Sequence, residues 1–454
     1  MSTAAASPNP VDRDGPLTYT IVTRSHFHLA AALEAQFRDE NPTGRFCIVV
    51  ADADDPATGS PIWDWLAPVH QTWRAASGDD SGQKQRSLLS ARQIIADDFW
   101  SLAFQYLPLE LTCCLKGRVA AGWLARGERR LLYLDADTQI FTSSAACLSP
   151  LGSTGGILLT PHFRSPLPAD GHYPNRVDLL RSGVFNAGVF GVAQAAESAD
   201  EVAAFLAWWN ACTARDCLVD PHNGLFVDQR WLDTAPALFP GLKISTHWGL
   251  NVGYWNLHDR ELHQTPQGIQ VRPQRSELNL PRPGDESAVQ PLQVFHFSGA
   301  ERVDGEGRSA QHRLSRHQNR HTLNSQPVVA RLLHAYLDAW DRHAWRHYAG
   351  IPFAYAHLPG GIPVPLAWRE AYRQNLCGVR DLGANPFAVF DEPSGRARMR
   401  KATQPESLKS GRFQFHLDGL QARLARLQRR LDREPWRRLV RVTRHWKNQW
   451  LKRT

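Results

Sequence analysis

Two aspartates one residue apart, Asp135 and Asp137, close a run of four apolar or aromatic residues, Leu131 to Leu134. Such a run reads as a buried parallel strand. Asp-x-Asp at its carboxyl end turns two carboxylates toward the crevice where open α/β sheets bind ligands. Carboxylates there suit a hard divalent cation, and a cation is what a diphosphate leaving group needs. Acidic pairs also cap helices and begin turns, so this pair needs partners from elsewhere in the chain. His296 alternates with Phe295 and Phe297 and therefore faces away from them. An imidazole added to two carboxylates favours Mn2+ more than a pure oxygen site would. Lys116, in mid-helix with few charged neighbours, either snorkels to the surface or reaches a phosphate or sugar hydroxyl. Asn186 stands beside Ala187 and Gly188, small strand residues that imply close approach of backbone or ligand. Its amide serves a sugar hydroxyl or a turn.

The elements that must position these residues alternate. Leu17 to Thr23 reads as a strand, Phe27 to Phe37 carries helical spacing, and Phe46 to Ala51 reads as a second strand ending at Asp52. An aspartate after the second strand of a βαβ unit often meets a base or ribose. No Gly-x-Gly-x-x-Gly joins strand to helix, which removes the main support for a dinucleotide fold. Ala53 to Arg86 reads as loop and short elements. Helical patterning then runs from Ala91 through Leu109, Leu111 and Leu115 to Trp123. Gly155 to Thr160 and Phe185 to Val192 read as further strands, and Asp200 opens an amphipathic helix. Phe226–Trp231, Trp248–His258 and Val294–Gly299 complete the informative stretches.

The chain has 454 residues, 43% of them hydrophobic, and a mean hydropathy of −0.40. That is enough for two or three domains and an ordinary core, and no apolar segment is long enough to span a bilayer. The start, MSTAAASPNPVDRDG, reads as a short disordered leader rather than a signal peptide. Seven cysteines without metal-finger spacing fit a reducing cytosol, most of them as small core residues. From Arg423 to Arg453 there are twelve Lys or Arg and two acidic residues, a net of +10, while the whole chain carries +8. The remainder is thus about −2 by the same count, which argues against a nucleic-acid channel through the body.

In this order the motifs resemble those of GT-A nucleotide-sugar glycosyltransferases, most of all the retaining family 8 group that includes glycogenin and bacterial lipopolysaccharide galactosyl- and glucosyltransferases. The matching residues are Thr20 to Thr23, Lys116, Tyr133 to Asp137, Phe185 to Val189, Asp228-Gln229, and His296 to Gly299. They cover roughly Leu17 to Gly299. Two features depart from the pattern: the segment before Asp135 is long, and Ala300-Glu301-Arg302 replaces the usual Lys-Pro-Trp. Arg302 or His296 would partly take over the role of that motif toward phosphate.

The resemblance implies an α/β GT-A fold with a Rossmann-like mixed sheet, and a metal-bridged nucleoside diphosphate sugar as co-substrate. Asp135, Asp137 and His296 would hold Mn2+ or Mg2+, with Ala136 and Gly299 lining the same site. Lys116 would lie near the diphosphate or donor sugar, and Thr20, Thr23 and Asp52 near uridine and ribose. Asn186 and Asp228 would meet sugar hydroxyls. Gln229 would sit on the β face of an oxocarbenium-like centre. An amide is a poor nucleophile, so same-face attack by the acceptor hydroxyl is easier to defend than a covalent intermediate. The alternatives are an inverting GT-A enzyme with Asp228 or Asp233 as general base, and a non-catalytic carbohydrate-binding protein using its sixteen tryptophans as sugar platforms.

The expected division is a leader (1–15), a catalytic domain (16–300), a basic linker or active-site loop (301–326), an accessory domain on the acceptor side (327–412) and a basic helical tail (413–454). In the tail, Leu424, Leu427 and Leu431 recur at helical spacing. Trp436, Trp446 and Trp450 follow among Arg and Lys. A basic amphipathic helix with tryptophans reads as one lying on an anionic membrane surface. Nucleic-acid binding and packing on the catalytic domain are the competing readings of this segment; with the membrane reading ranked first, the expectation is a cytoplasmic protein, peripheral on the inner face of the membrane, with a glycan, glycolipid or protein acceptor and no nucleic-acid partner.

Overall fold

The computed structural model describes residues 15–76, 86–95, 98–274, 289–302, 312–380 and 383–404. The chain opens with β1 (Leu17–Val22), α1 (Phe27–Glu40), β2 (Arg45–Val50) and β3 (Arg86–Ser90). Next come α2 (Phe99–Gln105), α3 (Pro108–Ala125), β4 (Arg130–Leu134) and β5 (Thr138–Ile140). β6 (Gly156–Pro161), α4 (Arg176–Ser182), β7 (Phe185–Ala193) and α5 (Ala199–Asp216) follow. Short strands come after them: β8 (Lys243–Ile244), β9 (Val252–Gly253), β10 (Arg260–Thr265), β11 (Gly268–Pro273), β12 (Gln290–Pro291) and β13 (Val294–His296). The C-terminal helices are α6 (Pro327–Arg342), α7 (Trp345–Ala349), α8 (Leu366–Arg373), α9 (Pro386–Asp391) and α10 (Pro393–Ala402).

Among the described residues seven strands form one sheet in the order β8-β6-β7-β4-β1-β2-β3. β1 runs parallel to β2 and β4, and β2 to β3. β7 is antiparallel to both β4 and β6. The fold is therefore a mixed α/β sheet of Rossmann-like topology with added C-terminal helices, the architecture that the GT-A resemblance implies. The parallel strands are apolar on both faces because both are covered. On β2, Cys47 and Val49 join the cluster containing α3 and α5, whereas Phe46, Ile48 and Val50 join the one containing α1.

Two local expectations change. The stretch read as loop to Arg86 is followed by β3, which extends the sheet beside β2. The helical pattern read as continuous from Ala91 to Trp123 is instead three helices. Ser90 and Gln93 form a capping box that starts a short one at Ala91–Ile94, and Pro108 starts α3 at its first turn. Proline has no N–H for a preceding turn, so it begins helices rather than continuing them. The apolar period survives the breaks because all three pieces bury into one cluster.

The C-terminal helices share the sheet's cores. Tyr372, Phe387, Phe390 and Met399 lie in the α3–α5 cluster, and α6 packs with Phe295 and Phe297. Buried Arg369 donates to the carbonyls of Phe104 and Tyr106 at 2.7 and 3.1 Å, satisfying groups left where α2 ends, and to that of Tyr355 at 2.5 Å. No helix of the described residues is long and apolar enough to cross a membrane. Nearly all of the expected leader and the whole 413–454 tail lie outside the described residues.

Candidate functional site

β4 ends at Leu134, and the next residue is tied at once: Asp135 N–H donates to the Gly188 carbonyl at 2.8 Å, and Thr138 N–H to the Asp135 carbonyl at 3.1 Å. This turn leads into β5, which pairs with β13 so that Thr138 stands opposite His296. Phe297 N–H donates to the Asp137 carbonyl at 2.8 Å. The strand pairing thus carries His296 across some 160 residues of chain to the aspartates. Its Nε2 lies 3.0 Å from Asp137 Oδ1 and 4.0 Å from Asp135 Oδ2. One ligand atom from each of the three lies within 4.8 Å of the others. That is no more than twice a metal–oxygen bond of about 2.0–2.4 Å, so two carboxylates and an imidazole fit one divalent cation. The aspartate side chains are 28% and 30% exposed while His296 is 4% exposed, leaving the oxygen side open to solvent.

Lys116 does not snorkel. It is buried, with its ammonium 3.1 Å from Asp135 Oδ1, 3.4 Å from Asp228 Oδ2 and 3.1 Å from the Ala187 carbonyl, over the Tyr133 ring. Burial opposes its charge, but Asp135 and Asp228 outweigh burial and push its pKa up. Burial raises the Asp228 pKa against the pull of Lys116. Burial alone would lower that of His296, yet Asp137 and Asp135 raise it, and His296 in turn lowers that of Asp137. The Tyr133 hydroxyl donates to Asp135 Oδ1 at 2.5 Å.

What approaches closely at Gly188 is the His296 ring, since a Cβ built at 188 would stand 2.3 Å from its Cε1. Asn186 is buried. Its oxygen accepts from Gly188 N–H at 2.9 Å and from Asn251 Nδ2 at 3.0 Å, and its Nδ2 faces His162 Nε2 at 3.3 Å. His162 Nδ1 donates to the Gly183 carbonyl at 2.8 Å, and burial lowers the His162 pKa to about 4, so this imidazole is neutral at pH 7. Gln229 donates to the Ser182 carbonyl at 2.7 Å. Asp233 accepts from Val184 N–H at 2.7 Å and pairs with Arg230.

Of the residues expected at the nucleoside, Thr23 and Asp52 follow the ends of β1 and β2, whereas Thr20 lies inside β1. Thr20 is fully buried within β1, and Thr23 Oγ1 bonds Ser25 Oγ and His26 Nδ1 at 3.0 and 3.1 Å. Asp52 is buried, with one oxygen accepting from Arg24 N–H at 2.7 Å and the other from Ala354 N–H at 3.2 Å beside the Arg24 guanidinium. Burial lowers the His26 pKa while Asp137 and Asp52 both oppose it, so His26 stands in the field of both regions. Ala136 is buried between the two aspartates. Gly299 has φ +68, and a Cβ there would meet His317 Cδ2 at 2.5 Å and Ser315 Oγ at 2.8 Å. Arg302 pairs with Asp341.

Asn251 and His162 enter this region without having been singled out as site residues, and Tyr133 had appeared only as the first residue of the matching Tyr133 to Asp137 motif. Asn251 had one signal, its place in the Trp248–His258 stretch. His162 lies between the strands expected at Gly155 to Thr160 and Phe185 to Val192, where no motif marked it. No described tryptophan is fully exposed, and Trp123, Trp209 and Trp248 are among the most deeply buried side chains. They fill cores rather than offering platforms.

No family model matches the chain. It is similar to two uncharacterized proteins of Bacillus subtilis (strain 168). YfnF is 29% identical over 136 residues, which is 28% of this chain and 40% of YfnF. YfnD is 25% identical over 170 residues, 37% of this chain and 45% of YfnD. The chain spans less than half the length of these curated relatives. Among solved structures it is similar to the galactosyltransferase LgtC, solved with donor and acceptor sugar analogs, at 14% identity and TM-score 0.34 over 62% of this chain and 86% of that one. The glycosyltransferase GlyE of Streptococcus pneumoniae TIGR4 is 11% identical at TM-score 0.27, over 51% of this chain and 45% of that one.

Proposed function

We propose that this chain is a metal-dependent GT-A glycosyltransferase that moves a hexose from a nucleoside diphosphate sugar, a UDP-sugar in the first instance, to a hydroxyl of a glycan, glycolipid or protein acceptor with retention. The observation that carries the reading is the convergence of Asp135, Asp137 and His296 at the carboxyl end of β4, with Lys116 and Asp228 directly behind them. The three ligand-bearing residues would hold Mn2+ or Mg2+. A bound ion supplies positive charge to the diphosphate as the sugar–phosphate bond breaks. Lys116 holds Asp135 and Asp228 in place. Ala136 and Gly299 would line the site, Thr23 and Asp52 would serve the nucleoside side with Thr20 buried in the strand behind them, and Asn186 the sugar.

In this reading the C1–oxygen bond to phosphate breaks with its electron pair on the phosphate. The acceptor oxygen bonds C1 on the same face, and its proton passes to the departing phosphate. Gln229, tethered to Ser182, would line the opposite face with an amide. Inversion would need a carboxylate free to take the acceptor's proton, but Asp228 is buried against Lys116 and Asp233 is held by Val184 N–H and Arg230. Retention is favoured on that ground.

The basic composition of 413–454 supports a cytoplasmic protein held at the inner membrane surface. The test of the central proposal is a nucleoside-diphosphate-sugar screen with Mn2+, read by donor consumption and product anomer. One donor should be consumed, Asp137→Asn should abolish this with little change in melting temperature, and the product should keep the donor's anomeric configuration. A folded, fully active Asp135→Ala/Asp137→Ala double variant would rule the proposal out.

A further inference from the structure

We infer that Asn251 is a positioning residue that holds the hydrogen of His296 on Nδ1, so that Nε2 is the nitrogen offered to a cation in the Asp135–Asp137 crevice. The setting originates at the backbone N–H of Gly188 and passes through two amide side chains. The inference rests on the metal reading above.

A backbone N–H only donates. That of Gly188 lies 2.9 Å from the Asn186 side-chain oxygen, and a flipped amide would set donor against donor. The same oxygen faces the Asn251 amide at 3.0 Å, so Asn251 must present its NH2 there. The second hydrogen of that NH2 goes to Thr160 Oγ1 at 2.7 Å. Thr160 can accept it because its own hydroxyl hydrogen has the carbonyls of Asn186 and Val189, at 3.0 and 2.9 Å. With both hydrogens assigned, Asn251 turns its oxygen to His296 Nδ1 at 3.2 Å. An oxygen there requires a hydrogen on Nδ1, so Nε2 is the ring nitrogen that would give its lone pair to a cation in place of a proton. Nε2 is the atom 3.0 Å from Asp137 Oδ1.

The backbone agrees with this role. Asn251 is fully buried at φ +57, a left-handed conformation that few residues other than glycine and asparagine accept readily. Asn256 braces that turn, donating to the Asn251 carbonyl at 3.1 Å and accepting from Gly253 N–H at 3.0 Å. A metal-binding histidine is usually oriented through its other ring nitrogen, and here that partner is an amide oriented by the sheet itself.

The test compares wild type with Asn251→Gly, which keeps the left-handed backbone and removes the acceptor. Mn2+ affinity of the full chain is measured by electron paramagnetic resonance of free Mn2+, alongside thermal melting and a His296→Ala control. Asn251→Gly should weaken Mn2+ binding by about 10- to 100-fold. In 15N-histidine-labelled protein with Mg2+, the His296 signal, assigned by its loss in His296→Gln, should report a protonated Nδ1. Wild-type Mn2+ affinity in folded Asn251→Gly while His296→Ala is impaired would overturn the inference, as would a bare Nδ1. If His296→Ala binds Mn2+ as wild type does, the metal reading itself fails and takes this inference with it.

Discussion

Gly188 presents its backbone to the edge of the His296 imidazole so closely that a Cβ at 188 would lie 2.3 Å from Cε1 and 2.7 Å from Nδ1. The strand can carry no side chain at that position while the ring keeps its place beside Asp137. Gly188→Ala should therefore displace the ring or bend β7. The overpacking is expected to cost about 1–3 kcal/mol and to weaken Mn2+ binding in the same protein. Chemical denaturation and Mn2+ titration measure the two effects, and unchanged Mn2+ affinity would mean that the ring moves aside freely.

Lys116 is the only cation that the structure sets against the buried Asp228 carboxylate within ion-pairing distance among the described residues. Lys116→Met removes one partner of a buried ion pair, a change that costs about 3–5 kcal/mol. Lys116→Arg should not restore stability, because the ammonium makes compact contacts to Asp135, Asp228 and the Ala187 carbonyl at 3.1–3.4 Å. Urea unfolding of the two variants checks this. Wild-type stability in Lys116→Met would show that Asp228 is neutral or relaxed in the folded protein.

A histidine group between α1 and the α6–α7 pair should make the fold sensitive to acid. His70 Nδ1 lies 2.7 Å from the Tyr348 hydroxyl and its Nε2 3.1 Å from His343 Nδ1. Burial, then neighbouring histidines, lowers the His28 pKa to about 3, and burial with His343 lowers that of His70 to about 4. The unfolded chain takes up these protons near pH 6.5 and the folded one resists until about pH 3–4, so unfolding is favoured as pH falls through that window. For His28 the slope is at most about 1.4 kcal/mol per pH unit. Melting temperature should drop between pH 7 and pH 4.5, and His28→Leu should flatten the drop. An identical slope in that variant would remove His28 as its source.

Removal of Leu424 to Thr454 should spare Mn2+ binding and donor hydrolysis but reduce sedimentation with anionic vesicles. Salt should weaken attachment as well, since surface attraction is screened over about 10 Å at 0.1 M, while the leucines and tryptophans of the segment should retain some binding. Equal sedimentation of full-length and truncated protein would reject the membrane role.

Parts of the fold were legible because they obey local rules. The alternating strands and helices around β1, α1, β2 and β4 announce themselves by runs of buried aliphatic residues, and both faces of those strands are covered. β3 escaped because Arg86–Ser90 is five residues with two serines and one arginine, a composition that a sheet edge tolerates and a pattern cannot separate from loop. The continuous helix from Ala91 to Trp123 was wrong for a different reason. Its apolar period reports burial against one core, and three short helices meet that core as well as one long one does.

The sequence by itself determined which residues carried the chemical potential of a metal site, because carboxylate, imidazole and ammonium groups are scarce in apolar strands and helices and costly to bury without a purpose. It also determined that something must lie against Gly188. Only the tertiary structure decided what that was, because pairing β5 with β13 joins residues some 160 positions apart, and no local periodicity encodes that register. The same folding turned Lys116 inward onto Asp135 and Asp228, where two opposing carboxylates outweigh its desolvation. It also placed Asn251, an ordinary asparagine in one dimension, where a backbone N–H two residues away from Asn186 settles which nitrogen of His296 bears the proton.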